Sequence, residues 1–133
     1  MVLSDADIVA AVRAVLPDAR AITLFGSRAG DDARDDSDLD LAVLLPGPAD
    51  PVRLWEAGEA VARRLDVDVD LVDLLAASTV LQHQVVTTGR RLFADGPEIE
   101  RYEAFVLAEM TSLDEARAPL LADIRREGHV HGR

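Results

Sequence analysis

Residues 21–45 read AITLFGSRAGDDARDDSDLDLAVLL, and the interpretation of the whole chain depends on this stretch. It begins with a short β-prone run and ends with an apolar run, so each end predicts a buried strand. Between the two runs lie a Gly-Ser pair at positions 26 and 27, a spacer over residues 28–37, and an Asp-Leu-Asp sequence that leads into the second strand. We therefore expect two strands whose ends present a glycine, a hydroxyl and two carboxylates.

Apolar residues at helical spacing predict helices on both sides of this stretch. Ser4 is a suitable cap for a first helix, and Pro17 ends that helix. A second helix is predicted over residues 51–65, and Ser78 is expected to cap a third that runs to Gly89. Helices that alternate with strands indicate an α/β architecture.

Two further strands and a long helix complete the predicted order of elements. Valine and leucine alternate with aspartate over residues 67–71, which predicts a third strand, and residues 91–94 predict a short strand or extension. Residues 98–127 are expected to form a long C-terminal helix. We predict a small mixed β-sheet flanked by helices in one domain over residues 1–133, with its core over about 5–95.

Composition excludes several classes of function. The chain has no cysteine, which rules out disulfides and thiol chemistry, and no lysine, which rules out a Walker-type phosphate loop. Its net charge of −11 argues against direct binding of nucleic acid. Neither a secretory signal nor a stretch able to span a membrane is evident, so we expect a cytoplasmic protein.

Asp38 and Asp40 lie two positions apart, so both carboxylates face the same side of a strand. Two anions this close repel each other unless a cation neutralises them, and Mg²⁺ prefers such oxygen ligands. A third carboxylate on a neighbouring strand would complete a two-metal site. Asp70 is our choice for this third ligand and for the general base, and Asp68, on the same face, is the nearest alternative.

Gly26 and Ser27 follow a strand and open the segment before the carboxylates. Glycine allows a phosphate to approach the backbone closely, and the amide groups and the hydroxyl of Ser27 can then bind phosphate oxygens. Arg28 can add a charge-assisted contact to the same phosphates. These residues predict that the chain binds a nucleoside triphosphate together with its metal ions.

The acidic segment also invites comparison with a calcium-binding EF-hand loop that would begin at Asp36. Such a loop requires glycine at its sixth position and glutamate at its twelfth. Leu41 and Gly47 occupy those positions, so the EF-hand interpretation fails.

Three further residues, Trp55, Tyr102 and His83, are not expected to take part in catalysis. Trp55 has helical spacing with Val52 and is expected to lie partly in the core, and Tyr102 is expected to pack rather than to be modified. His83 is expected to be solvated or to face a partner protein.

Residues 24–29 and 36–44 together resemble the signature of the DNA polymerase β-like nucleotidyltransferase superfamily, and residues 69–74 resemble its third-carboxylate strand. The small size of the chain is similar to that of minimal nucleotidyltransferases, specifically the antitoxins of HEPN/MNT toxin–antitoxin pairs. This resemblance covers roughly residues 5–110 and is sharpest over 24–45.

The resemblance implies an activity and a partner. Such antitoxins transfer AMP from ATP to a tyrosine of a HEPN ribonuclease toxin and so neutralise it. By the matching motif positions, Gly26 and Ser27 would hold the triphosphate, and Asp38, Asp40 and Asp70 would bind Mg²⁺. Two alternatives remain open at this point: a stoichiometric inhibitor that binds the toxin without chemistry, and a nucleotidyltransferase that acts on a small molecule.

Overall fold

The structure is a computed structural model that describes residues 3–26, 38–97 and 99–109. Its elements in chain order are helix α1 (Asp5–Val15), strands β1 (Ala21–Phe25) and β2 (Leu39–Leu44), helix α2 (Pro51–Leu65), strand β3 (Val69–Asp73), a 3₁₀ helix (Leu74–Ala76), helix α3 (Thr79–Thr88), strand β4 (Arg90–Ala94) and helix α4 over residues 99–109.

The four strands form one sheet in the order β3-β2-β1-β4. Strand β1 pairs antiparallel with β2 and with β4, whereas β2 and β3 run parallel. A parallel pair needs a crossover connection, and α2 provides it. The predicted mixed sheet flanked by helices is therefore confirmed, including the short fourth strand.

Each face of the sheet is covered by helices. The first face packs on α1 and α2, through a core that includes Ile8, Val12, Ile22, Leu24, Leu39, Leu41, Val43, Ala57 and Val61. The second face packs on α3 and α4, through Ala21, Phe25, Ala42, Leu44, Leu74, Val85 and Ile99. Side chains alternate along a strand, so Asp40 lies on the second face, in line with Ala42 and Leu44.

Helix α1 begins where the sequence predicts, because the Ser4 hydroxyl accepts a hydrogen bond from the backbone N–H of Asp7 at 3.1 Å. Helix α2 begins at Pro51 after Asp50, whose carboxylate accepts a hydrogen bond from the backbone N–H of Arg53 at 3.3 Å. These short polar caps satisfy donors that the first helical turn leaves unpaired.

The prediction for Trp55 is wrong, since this side chain is 67% exposed. The core-facing side of α2 carries Ala57, Val61 and Leu65, all of them buried. Trp55 and Val52 lie one turn apart on the solvent side of the same helix. Helical spacing showed that these residues share a face, but it did not show which face the sheet covers.

Helix α4 rests on the second face of the sheet, where Ile99 and Val106 are buried. Tyr102 packs against the same apolar cluster, as expected. The described helix begins within the predicted range of 98–127, and residues 110–127 of that prediction lie outside the described part of the chain. Within the described residues, each helix is too short or too polar to cross a bilayer.

Candidate active site

Asp40 lies at the point where three strands meet near one end of the sheet. In the strand registers it pairs with Phe25 of β1 and with Asp70 of β3. Asp40 is half-buried, while Asp38 and Asp70 are exposed. The parallel pairing of β2 with β3 therefore places two of the three predicted carboxylates on adjacent strands, at the same level.

Asp40 is affected by the charges of both other carboxylates. Burial raises the pKa of Asp40 above its ordinary value of 3.8, and the charges of Asp70 and then Asp38 raise it further. Each cause disfavours the ionised carboxylate, because burial removes water and like charges repel. Asp40 is thus an anion that a nearby cation would stabilise.

The same interactions favour Asp70 over Asp68 as the third member of the group. Of the two charges that raise the pKa of Asp40, that of Asp70 has the larger effect, and Asp70 pairs directly with Asp40 in the register. Asp68 precedes β3, and its backbone carbonyl accepts the N–H of Leu39 at 2.8 Å. Asp68 therefore contributes a main-chain bond that begins the parallel ladder, two residue pairs away from the Asp40–Asp70 pair.

Gly26 lies directly against the Asp40 side chain. Its φ is +75°, in the left-handed region that favours glycine. A Cβ atom built on Gly26 would lie 2.1 Å from Oδ2 of Asp40, 3.0 Å from its Cγ and 3.2 Å from its Cβ. The sequence predicts a phosphate-binding role for this glycine, and the structure adds a second reason for its presence: without a side chain, it leaves room for the Asp40 carboxylate.

The donor set fits a hard divalent cation. All three candidate ligands are carboxylates, the type of oxygen ligand that Mg²⁺ prefers, and the central one, Asp40, packs against Gly26. The side chains do not close around an ion as they stand, since no three His, Cys, Asp or Glu residues within the described segments are arranged as a metal site. Asp38 and Asp70 are exposed, so rotation of their carboxylates toward a cation costs little.

Two predicted phosphate-binding residues, Ser27 and Arg28, lie outside the described residues. The other predicted site residues, Gly26, Asp38, Asp40 and Asp70, are brought to one end of the sheet, at β1, β2 and β3. His83 is half-buried on α3, and its carbonyl accepts a hydrogen bond from the Thr87 hydroxyl at 2.8 Å. The structure gives His83 no link to the carboxylates.

Asp73 is a buried carboxylate whose importance sequence analysis missed. It is 6% exposed, and its oxygens accept hydrogen bonds from the backbone N–H groups of Ala49 and Leu75. The signal was present in the sequence, since an aspartate at the end of a strand is a typical cap for the following helical turn. The contact with Ala49 was not predictable, because it joins residues far apart in the chain.

Comparison with known proteins identifies relatives that cover most of the chain. Residues 4–98 match the protein family described as polymerase beta, nucleotidyltransferase. Over 122 residues the chain is 35% identical to protein adenylyltransferase MntA of Shewanella oneidensis, an alignment that covers 92% of this chain and 88% of MntA.

Solved structures of toxin–antitoxin complexes are also similar to this fold. One chain of a toxin–antitoxin complex with AMP-PNP matches with a TM-score of 0.80 and 35% identity, covering 92% of this chain and 99% of the other. One chain of a complex between tri-AMPylated Shewanella oneidensis HEPN toxin and MNT antitoxin matches with a TM-score of 0.74 and 34% identity, covering 91% and 95% of the two chains.

Proposed function

Since this chain belongs to the polymerase β nucleotidyltransferase family, we propose that it is a cytoplasmic antitoxin that transfers AMP from ATP to a tyrosine of a HEPN toxin. One observation carries the proposal. The Asp40 carboxylate is close enough to Asp70 and Asp38 to be affected by both charges, and it packs against Gly26. This is an arrangement that can hold a metal-bound triphosphate at the end of a sheet.

The relatives support the acceptor and the nucleotide. A similar antitoxin forms a complex with a tri-AMPylated HEPN toxin, and another similar complex contains the ATP analogue AMP-PNP. The MntA relative is a protein adenylyltransferase that aligns with 92% of this chain. We therefore infer that ATP is the nucleotide and a HEPN toxin the acceptor, with Asp38, Asp40 and Asp70 at the site of transfer.

In the proposed reaction the tyrosine oxygen attacks the α-phosphorus of ATP. A bond forms between that oxygen and the α-phosphorus, the bond to the bridging oxygen breaks, and pyrophosphate leaves. Asp70 is the proposed base that accepts the tyrosine proton, because its exposed carboxylate can reach an incoming side chain. Free tyrosine has a pKa near 10, so the attack requires help of this kind.

Binding of ATP is assigned to the chain's own groups around the carboxylates. Asp38, Asp40 and Asp70 would hold Mg²⁺, and we expect two ions to bind. Such ions neutralise phosphate charge and make the attacking hydroxyl more acidic. Gly26, Ser27 and Arg28 are proposed to bind the triphosphate through backbone amides, a hydroxyl and a guanidinium group.

The decisive experiment is co-expression of this chain with the HEPN toxin proposed as its partner, followed by intact mass measurement of that toxin. We expect mass additions of one AMP each with the wild-type chain, and none when Asp38→Ala and Asp40→Ala are combined. Glu59→Ala, which removes an exposed carboxylate from α2, is the matched control and should modify the partner as the wild type does. An unmodified partner in both wild-type and control samples would refute the proposal.

A second candidate function is inhibition of the toxin by binding alone. It is supported by the complex in which a similar MNT antitoxin is bound to its HEPN toxin. Under this alternative the Asp38→Ala and Asp40→Ala double variant would still neutralise the toxin at equal dose. The two alternatives are separated by measuring toxin-dependent growth arrest in cells that express the wild-type chain or the double variant at matched levels. If the double variant still relieves the arrest, binding alone is sufficient.

A further inference from the structure

We propose that Gly26 is a positioning residue for Asp40. Because glycine has no side chain, the Asp40 carboxylate can keep the orientation in which it would bind metal. This role deepens the proposed function and rests on it, because Asp40 is there a metal ligand. Phosphate binding by the same glycine is a separate contribution, and the two can be measured independently.

The contact is steric and involves the whole Asp40 side chain. A methyl group on Gly26 would overlap Oδ2 of Asp40 at 2.1 Å and press on its Cγ at 3.0 Å and Cβ at 3.2 Å. Real Cβ contacts do not reach the first of these distances, so one partner has to move. The backbone of Asp40 is held on both sides, by Phe25 of β1 and Asp70 of β3, so the carboxylate is the part that would rotate.

Rotation of this carboxylate would damage the site at its centre. Asp40 is the half-buried member of the group and the one that both other carboxylates repel. Asp38 and Asp70 are exposed and can adjust to a cation, whereas Asp40 depends on the space that Gly26 leaves. Residue 26 therefore controls the orientation of the proposed metal ligand Asp40, which is not its sequence neighbour.

A double-mutant cycle on stability isolates this contact from the backbone strain at Gly26. Alanine at position 26 is disfavoured by the positive φ whatever residue stands at position 40. The overlap with the carboxylate, in contrast, disappears when Asp40 is replaced by alanine. We expect Gly26→Ala to lower the folding equilibrium constant roughly tenfold more in the wild-type background than in the Asp40→Ala background.

The cycle is measured by urea denaturation of the full chain without nucleotide or metal. Gly47→Ala is the control, since a Cβ at Gly47 meets nothing within 4 Å and its effect should be the same in both backgrounds. If the single Gly26→Ala chain fails to fold while the double variant folds, the contact is supported. Equal losses in the two backgrounds, or failure of both chains to fold, would overturn it.

Binding of Mn²⁺ to the nucleotide-free chain is the second readout, followed by electron paramagnetic resonance. We expect Gly26→Ala to weaken Mn²⁺ binding at least tenfold and Gly47→Ala to leave it unchanged. If Gly26 served phosphates alone, Gly26→Ala would weaken only ATP binding and leave Mn²⁺ binding intact, which would overturn the inference. A wild-type chain that neither binds Mn²⁺ nor modifies its partner would refute the proposed function instead, while the stability cycle would still test the contact.

Discussion

Replacement of Asp73 by alanine tests whether a single buried carboxylate joins β3 to the segment that follows β2. Oδ2 of Asp73 accepts the backbone N–H of Ala49 at 2.8 Å, and Oδ1 accepts the N–H of Leu75 at 3.1 Å. The first bond closes a long loop, and the second caps the 3₁₀ helix that begins at Leu74. Asp73→Ala leaves both donors without their acceptor, in a place where Asp73 itself is only 6% exposed.

The expected loss follows from these two bonds. A hydrogen bond to a charged group contributes about 1.5–3 kcal/mol, and an orphaned buried donor costs about 1–3 kcal/mol. Both donors lie in partly buried surroundings, so water recovers some of this energy. Removal of the buried carboxylate also relieves its own desolvation cost. We therefore expect Asp73→Ala to lower the free energy of unfolding by about 2–4 kcal/mol, and Asp73→Asn, which retains one acceptor oxygen, to lower it by less.

Urea denaturation followed by far-ultraviolet circular dichroism measures this change, with Asp95→Ala as the matched control. Asp95 is an exposed aspartate after β4, and its substitution should alter stability by no more than about 0.5 kcal/mol. The slope of the transition should be the same for all variants, because the folded core is unchanged. If Asp73→Ala were no less stable than Asp95→Ala, the hydrogen bonds of Asp73 to Ala49 and Leu75 would not stabilise the fold, and the prediction would be wrong.

Two further predictions concern close packing and pH. A Cβ at Gly89 would lie 2.5 Å from the carbonyl oxygen of Val85 and 2.6 Å from Cγ2 of Thr23. Gly89→Ala should therefore lower the free energy of unfolding by about 1–3 kcal/mol, and hence the melting temperature, whereas Gly47→Ala should not. Equal melting temperatures for both variants would contradict this. The pKa of Asp40 in the folded state is raised above 3.8, so ionisation of this carboxylate opposes folding. The stability that protonated Asp40 contributes is fully present below the pKa of the unfolded state. It is lost as the pH rises through the pKa of the folded state. Asp40→Asn, measured by calorimetry in metal-free buffer, should therefore gain melting temperature relative to wild type between pH 3 and pH 7, and a constant difference over that interval would show the sign to be wrong.

Much of the fold was predictable because its elements are defined by local patterns. The boundaries of α2 follow from Pro51 and the helical spacing up to Leu65, and the structure places the helix over that range. The apolar runs that became β1 and β2 were identified from composition and from the turns around them. A mixed sheet was expected from the order of elements, although the strand order itself was not.

The limits of prediction appear where a residue's surroundings come from distant parts of the chain. Trp55 shares a helix with Val61, and only the position of the sheet shows that one is exposed and the other buried. Gly26 could be assigned to phosphate binding by its place after a strand, but its contact with Asp40 depends on the pairing of β1 with β2.

The sequence by itself determined the chemistry that is available: Asp38 and Asp40 on one side of a strand, a Gly-Ser pair before them, and no lysine or cysteine that would support other mechanisms. Side-chain alternation and residue type are local properties, so no tertiary information was needed. Only the tertiary structure decided that Asp70, rather than Asp68, lies beside Asp40. That choice depends on the register of two parallel strands, and this register pairs residues that lie on opposite sides of α2 in the chain, so a local pattern does not define it.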